Sequence, residues 1–116
     1  MKQPHLASRV RSHRKRSGLS QKDLARIVAL TDDQISRHER SVSPPTLVAA
    51  FGYQVVFQKP VSEMFPGLFH TIESGVVERI ESFERDLSES AAKGRAAAPI
   101  ARRLEWLYER KNSELE

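Results

Sequence analysis

Apolar residues recur along this chain at helical spacing, and the gaps between the repeats hold residues that start and stop helices. Leu6 and Val10 stand at i, i+4, with Arg14 continuing the stripe. Leu24, Ala25, Val28, Leu30 and Ile35 form the next apolar set, and Leu47, Ala50, Phe51 and Val55 the one after. Leu68, Ile72, Val76, Ile80, Phe83 and Leu87 follow at spacings of 4, 4, 4, 3 and 4, one stripe over more than five turns. Ile100, Leu104 and Leu107 carry a last helix, with Trp106 and Tyr108 flanking its stripe and Pro99 in its first turn. Phe51 to Phe57 is β-rich but is read as helix, because a lone strand here has no partner. The pattern predicts an all-α chain.

The stretch Leu19 to Arg40 is the most sharply punctuated. Ser20 is an N-cap with Asp23 three residues on, and Leu19 and Leu24 are placed as a hydrophobic staple. Thr31 repeats the device with Gln34, and Leu30 and Ile35 are its staple pair. Two starts eleven residues apart leave the first helix only about two turns. That is a helix-turn-helix signature. Gly18 ends the helix before it. Ser41, Ser43, Pro44 and Pro45 form a loop, and Thr46 caps a fourth helix that Pro60 closes. Val61 to Phe65 makes a short fifth turn, ended by Pro66-Gly67. Residues 1–5 read as a frayed start, with Pro4 near a helix beginning. Ser88 to Ala98 reads as small and flexible, with Gly94 as a break.

Charge divides the chain. Residues 1–60 hold 11 Lys/Arg and 4 Asp/Glu, whereas residues 61–116 hold 8 and 11. The first 20 residues have six basic side chains and no acidic one. A basic half beside an acidic half suggests a polyanionic partner for the first half; a solvated basic face is the plainer alternative. The C-terminal glutamates, interleaved with Arg79 and Arg85, read as a solvated helix face. Cysteine is absent, which excludes disulfides and thiolate metal sites and fits a cytoplasmic location. No apolar run approaches the roughly 18 residues of a membrane span, and the start lacks a secretory h-region. His5, His13, His38 and His70 show no metal-ligand spacing. No catalytic motif, cofactor motif or phosphate loop is present, so the chain does not read as an enzyme.

The residues from about Val10 to Phe65 resemble the phage-repressor, or Cro/repressor and Xre-like, family of helix-turn-helix proteins. The resemblance rests on Arg14, Gly18-Leu19-Ser20-Gln21, Leu24-Ala25, Ile35-Ser36-Arg37, Glu39-Arg40, Pro45 and Glu63-Met64-Phe65, in register without a gap over about half the chain. It implies a five-helix, all-α DNA-binding domain at 1–66 and a helical extension at 67–116. It also implies a transcriptional regulator, here expected to be a homodimeric repressor, with the helix Thr31–Glu39 entering the major groove N-terminus first. Gln21 then matches a phosphate or base contact, with Ser20 and Lys22 beside it. Thr31, Asp32, Asp33, Ser36 and Arg37 match the exposed face of the recognition helix, and Arg40 lies near the DNA backbone. Arg14 and Glu39 match a partly buried ion pair. Lys15 and Arg16 add sequence-independent attraction.

The chain departs from the family pattern at several positions. Asp32 and Asp33 direct carboxylates at the phosphate wall; they either accept hydrogen bonds from cytosine amino groups or serve the helix end alone. Ala29 stands where the family places glycine, at a cost of roughly 1–2 kcal/mol if the backbone is left-handed. His38 replaces an apolar or aromatic residue and is expected to pack half-buried. Ile27 is an exposed apolar residue, either solitary or a docking point for the C-terminal helices. The stripe at 68–107 is buried either within the chain or as a homodimer interface, and the homodimer is the expectation. The rival reading is a protein-interaction module of the antitoxin type, with weak or no DNA binding.

Overall fold

The computed structural model describes residues 7–94 and 98–115, and over them the chain is all-helical. The helices are α1 (Val10–Arg16), α2 (Gln21–Val28), α3 (Asp32–Glu39), α4 (Leu47–Phe57), α5 (Val61–Met64), α6 (Pro66–Ala92) and α7 (Ala98–Leu115). They form two compact units that divide between Ile72 and Glu73, inside α6. No helix among the described residues is long and apolar enough to cross a membrane.

The boundaries follow from local chemistry. Ser20 accepts from the Asp23 backbone N–H at 3.0 Å, and Asp23 accepts from the Ser20 N–H at 2.9 Å. Thr31 and Gln34 make the same reciprocal box at 3.1 and 2.9 Å. Each box satisfies two backbone donors that helix geometry leaves open. The bond from Ser20 also holds the Asp23 carboxyl below its usual range. Thr46 caps α4 through the Ala49 N–H at 3.2 Å. Gly18 follows α1 with φ of +75°, a conformation open to glycine at little cost.

Several boundaries differ from the sequence expectation. Residues 7–9 are not helical. Ser8 accepts from the Val10 N–H, and the Arg9 N–H reaches the Met64 carbonyl at 2.8 Å, so the chain there is held by α5. Leu6, Pro4 and the start of the chain lie outside the described residues. Ser88 to Ala92 are helical, extending α6 beyond its apolar stripe, and Gly94 (φ +78°) follows its end. Pro66 begins α6, where its missing N–H costs nothing.

The first unit packs Val10, Leu24, Ala25, Ile35, Tyr53, Met64 and Phe65 into one core, with Val28, Leu30, Val56, Phe57, Val61 and Leu68 around it. The buried positions of α4 are Ala49, Ala50 and Tyr53. Leu47, Phe51 and Val55, three of the four apolar positions read for this helix, are 69, 53 and 76% exposed. Tyr53 decides the matter. It is fully buried, and its hydroxyl lies 2.6 Å from His38 Nδ1, so the helix is rotated to keep that bond inside. His38 is therefore buried rather than half-buried. Burial lowers its pKa below 6.5, and burial with nearby Glu39 raises that of Tyr53.

One ion pair crosses this core. Arg14 Nε donates to Glu39 Oε2 at 2.6 Å and Nη2 to Oε1 at 3.1 Å. Its third nitrogen, Nη1, donates to the Leu19 carbonyl at 2.9 Å. One guanidinium thus ties α1, the turn after it and α3. The Glu39 carboxylate keeps the guanidinium charged. In the second unit Leu87 of α6 and Leu107 of α7 are buried, and Lys111 donates to Glu84 at 2.8 Å, so α7 covers part of the long α6 stripe within the chain.

Three outcomes are expected. Arg14→Ala or Glu39→Ala, by urea unfolding, lowers stability by about 3–5 kcal/mol, because the surviving partner is a buried charge without its counterion. Ala29, at φ 58° and ψ 46°, is left-handed, so Ala29→Gly raises stability by about 1 kcal/mol. Because His38 takes a proton more readily unfolded than folded, its contribution is present in full above pH 6.5 and declines as pH falls through the lower folded value. Stability measured from pH 7.5 to 5 should therefore fall more steeply than in His38→Gln, which keeps a hydrogen-bonding end that does not titrate.

Candidate nucleic-acid interface

The two capping boxes place the starts of α2 and α3 on the surface, with their first-turn N–H groups partly open and their dipoles positive there. Between the helices the chain turns through Ala29, whose N–H and that of Leu30 both bond to the Ala25 carbonyl. This closes α2 in the left-handed manner without glycine. The short turn forces α3 to begin at Asp32, with Ile35 driven into the core and the opposite side of α3 left in solvent.

That exposed side carries Asp32, Asp33, Arg37 and, at the rim, Arg40, with Ser36 half-buried between them. Its formal charges cancel. Arg37 Nη1 lies 3.8 Å from Asp33 Oδ2, an i, i+4 pair, and Arg40 Nε donates to Ser36 Oγ at 2.9 Å. The cap of α3 is made by Thr31 and Gln34, not by the aspartates. The Thr31 hydroxyl is engaged on both sides: it accepts from the Gln34 N–H and lies 3.3 Å from Gln34 Oε1. Of the residues assigned to this face, Arg37, Arg40 and the two aspartates hold the outward groups.

Gln21 opens α2 half-buried. Its Nε2 donates to Glu39 Oε1 at 3.1 Å, which joins it to the Arg14 network and fixes the start of α2 against the end of α3. One amide hydrogen and the amide oxygen stay outside that bond. Ser20 and Lys22 flank it in solvent.

Lys15 and Arg16 are exposed on α1, on the side opposite Val10 and Arg14. His13, on the same helix, stacks on Phe57 at 5.6 Å between ring centroids. Its pKa is lowered by burial first, then by Arg16, Lys59 and Arg9, with Glu63 opposing. Lys59 and Arg9 thus act on His13 in the same sense as Arg16 of α1. The pattern of the sequence does not reveal Lys59, which stands 43 residues beyond Arg16. Gln58 (φ 55°) turns the chain at the end of α4, and the Phe57 ring brings that turn to His13. Ile27 is 56% exposed on α2. Comparison of the chain with protein-family models, with curated proteins and with solved structures finds no match.

Proposed function

We propose that this protein is a sequence-specific double-stranded DNA-binding transcriptional regulator, a homodimeric repressor whose helices α1–α5 form a repressor-like five-helix domain. In this reading α3 lies in the major groove. The observation that carries it is the coupling of the two capped helices. Arg14, Glu39 and Gln21 hold the start of α2 and the end of α3 in one hydrogen-bonded network, while Arg37 and Arg40 stand on the outer side of α3. A reading helix has to be held rigidly for its few side chains to meet base edges in register.

The roles divide by chemistry. Lys15, Arg16 and Lys22 supply charge toward phosphates, with Arg9 and Lys59 adding to the field. Gln21, with one amide hydrogen and its oxygen outside the Glu39 bond, faces a phosphate or base at the start of α2. Arg37 reads guanine, and Asp33, its neighbour, accepts from a cytosine amino group. Arg40, steadied by Ser36, contacts the backbone.

A second reading has one observation in its favour. The Asp33–Arg37 pair leaves the outer side of α3 without net charge, which suits a protein partner, as in an antitoxin-type module, at least as well as a polyanion.

Selection from a random duplex library, followed by titrations at several salt concentrations, separates the two. Neutralising Lys15 and Arg16 should weaken binding on every duplex and flatten the slope of log K against log salt by about one for each phosphate no longer neutralised. Arg37→Ala should cost about 1–3 kcal/mol on the preferred site and leave random DNA almost unaffected. A wild-type chain that retains no duplex at low salt would end the DNA reading.

A further inference from the structure

Helix α4 is apolar on two sides, and only one of them is used. Ala49, Ala50 and Tyr53 enter the core. Leu47, Val48, Phe51 and Val55 form a second stripe at i, i+1, i+4 and i+8, exposed by 69, 82, 53 and 76%. No residue of Leu47–Phe57 is charged. A helix apolar all round is ordinarily covered all round. The stripe also continues. Phe51 opens into a groove with Val61, Phe65, Leu68, Phe69 and Ile72, whose polar members are Gln54 and Ser62. Phe69 and Ile72 are 47 and 54% exposed.

We infer that a second copy of this chain covers this face, through a two-fold interface centred on α4. Charge argues for a copy of itself. An isologous contact sets a patch against the same patch, so a surface of one sign meets its own sign, whereas this one carries no charge. The basic α1, which bears one sign only, lacks that property. Area argues the same way. With large apolar side chains at roughly 150–250 Å² each, the six residues expose on the order of 600 Å². That is the upper end of what a monomer leaves open, and with a polar rim it approaches the roughly 800 Å² per partner of a standard interface. Of the expected interface at 68–107, Leu87 and Leu107 are already buried within one chain while Val76, Phe83 and Trp106 stay exposed, so a dimer through that stripe is the alternative outcome of the test. The inference gives the homodimer of the reading above a location, and it needs nothing from the DNA-binding part of that reading.

Sedimentation equilibrium of the full chain at micromolar concentration, without DNA, tests it. The wild type should sediment at twice 13.2 kDa. Val48→Glu/Val55→Glu should raise the dimer Kd by about 100-fold or more, since each carboxylate would be desolvated against its own copy. Its far-UV circular dichroism should be unchanged, because both positions lie outside the core. Leu47→Gln/Val55→Gln, a milder change, should weaken the dimer to a smaller degree and serves if the first variant misfolds. A monomeric wild type overturns the inference, and so does a dimer that survives the substitutions in a folded variant. DNA retention is read in a separate assay, so failure of the dimer and failure of the DNA reading are distinguishable.

Discussion

The first unit depends on a buried guanidinium. Arg14 comes from a helix of only seven residues, too short to be stable alone, and it is buried with Val10 on the inner side of that helix. A charge in such a place is tolerated only if it is paired and hydrogen-bonded, and here the carboxylate of Glu39 and the carbonyl of Leu19 give each of its three nitrogens a partner. In doing so they set three things together: the turn after α1, the position of the end of α3, and through Gln21 the start of α2. An apolar pair of similar volume would fill the space, but it would not specify which turn of α3 stands beside α1.

A second polar contact works beside it. His38 and Tyr53 meet edge to face with their polar atoms 2.6 Å apart, so α3 is held against α4 as well as α1. Both contacts come from the last turn of α3. The outer residues of α3 are thus carried on a helix fixed at its C-terminal end by side chains and at its N-terminal end by its cap. This arrangement lets the exposed side chains, Asp32 and Asp33 among them, vary without disturbing the fold, since none of them holds the helix in place. The left-handed Ala29 is tolerated for the same reason: the strain of one residue is small beside the burial of Leu24, Ala25 and Ile35 on either side of it.

Electrostatics follows the same division between local and assembled. The positive character of α1 is written in consecutive residues, and the unfolded chain already has it. The cancellation of charge on α3 also comes from neighbours in sequence, since Asp33 and Arg37 are one turn apart. Lys59 joins the α1 field only because the fold returns the end of α4 to His13.

The starts of α2, α3 and α4 were legible from the amino-acid sequence, because a cap is a bond between residues three apart and needs no tertiary structure to form. The pairing of Arg14 with Glu39 was legible only through resemblance; nothing in the spacing of two residues 25 apart requires it. Tertiary structure alone decided which side of α4 is buried. Its apolar residues surround the helix, so periodicity gives no preferred direction, and the hydroxyl of Tyr53, which needs His38 inside the core, supplies one. It decided also that Ser8 and Arg9 stay outside α1, because a bond to the distant Met64 outweighs helical propensity there. Local hydrogen bonding fixed where the helices begin; the requirement that buried polar groups find partners fixed how they face one another.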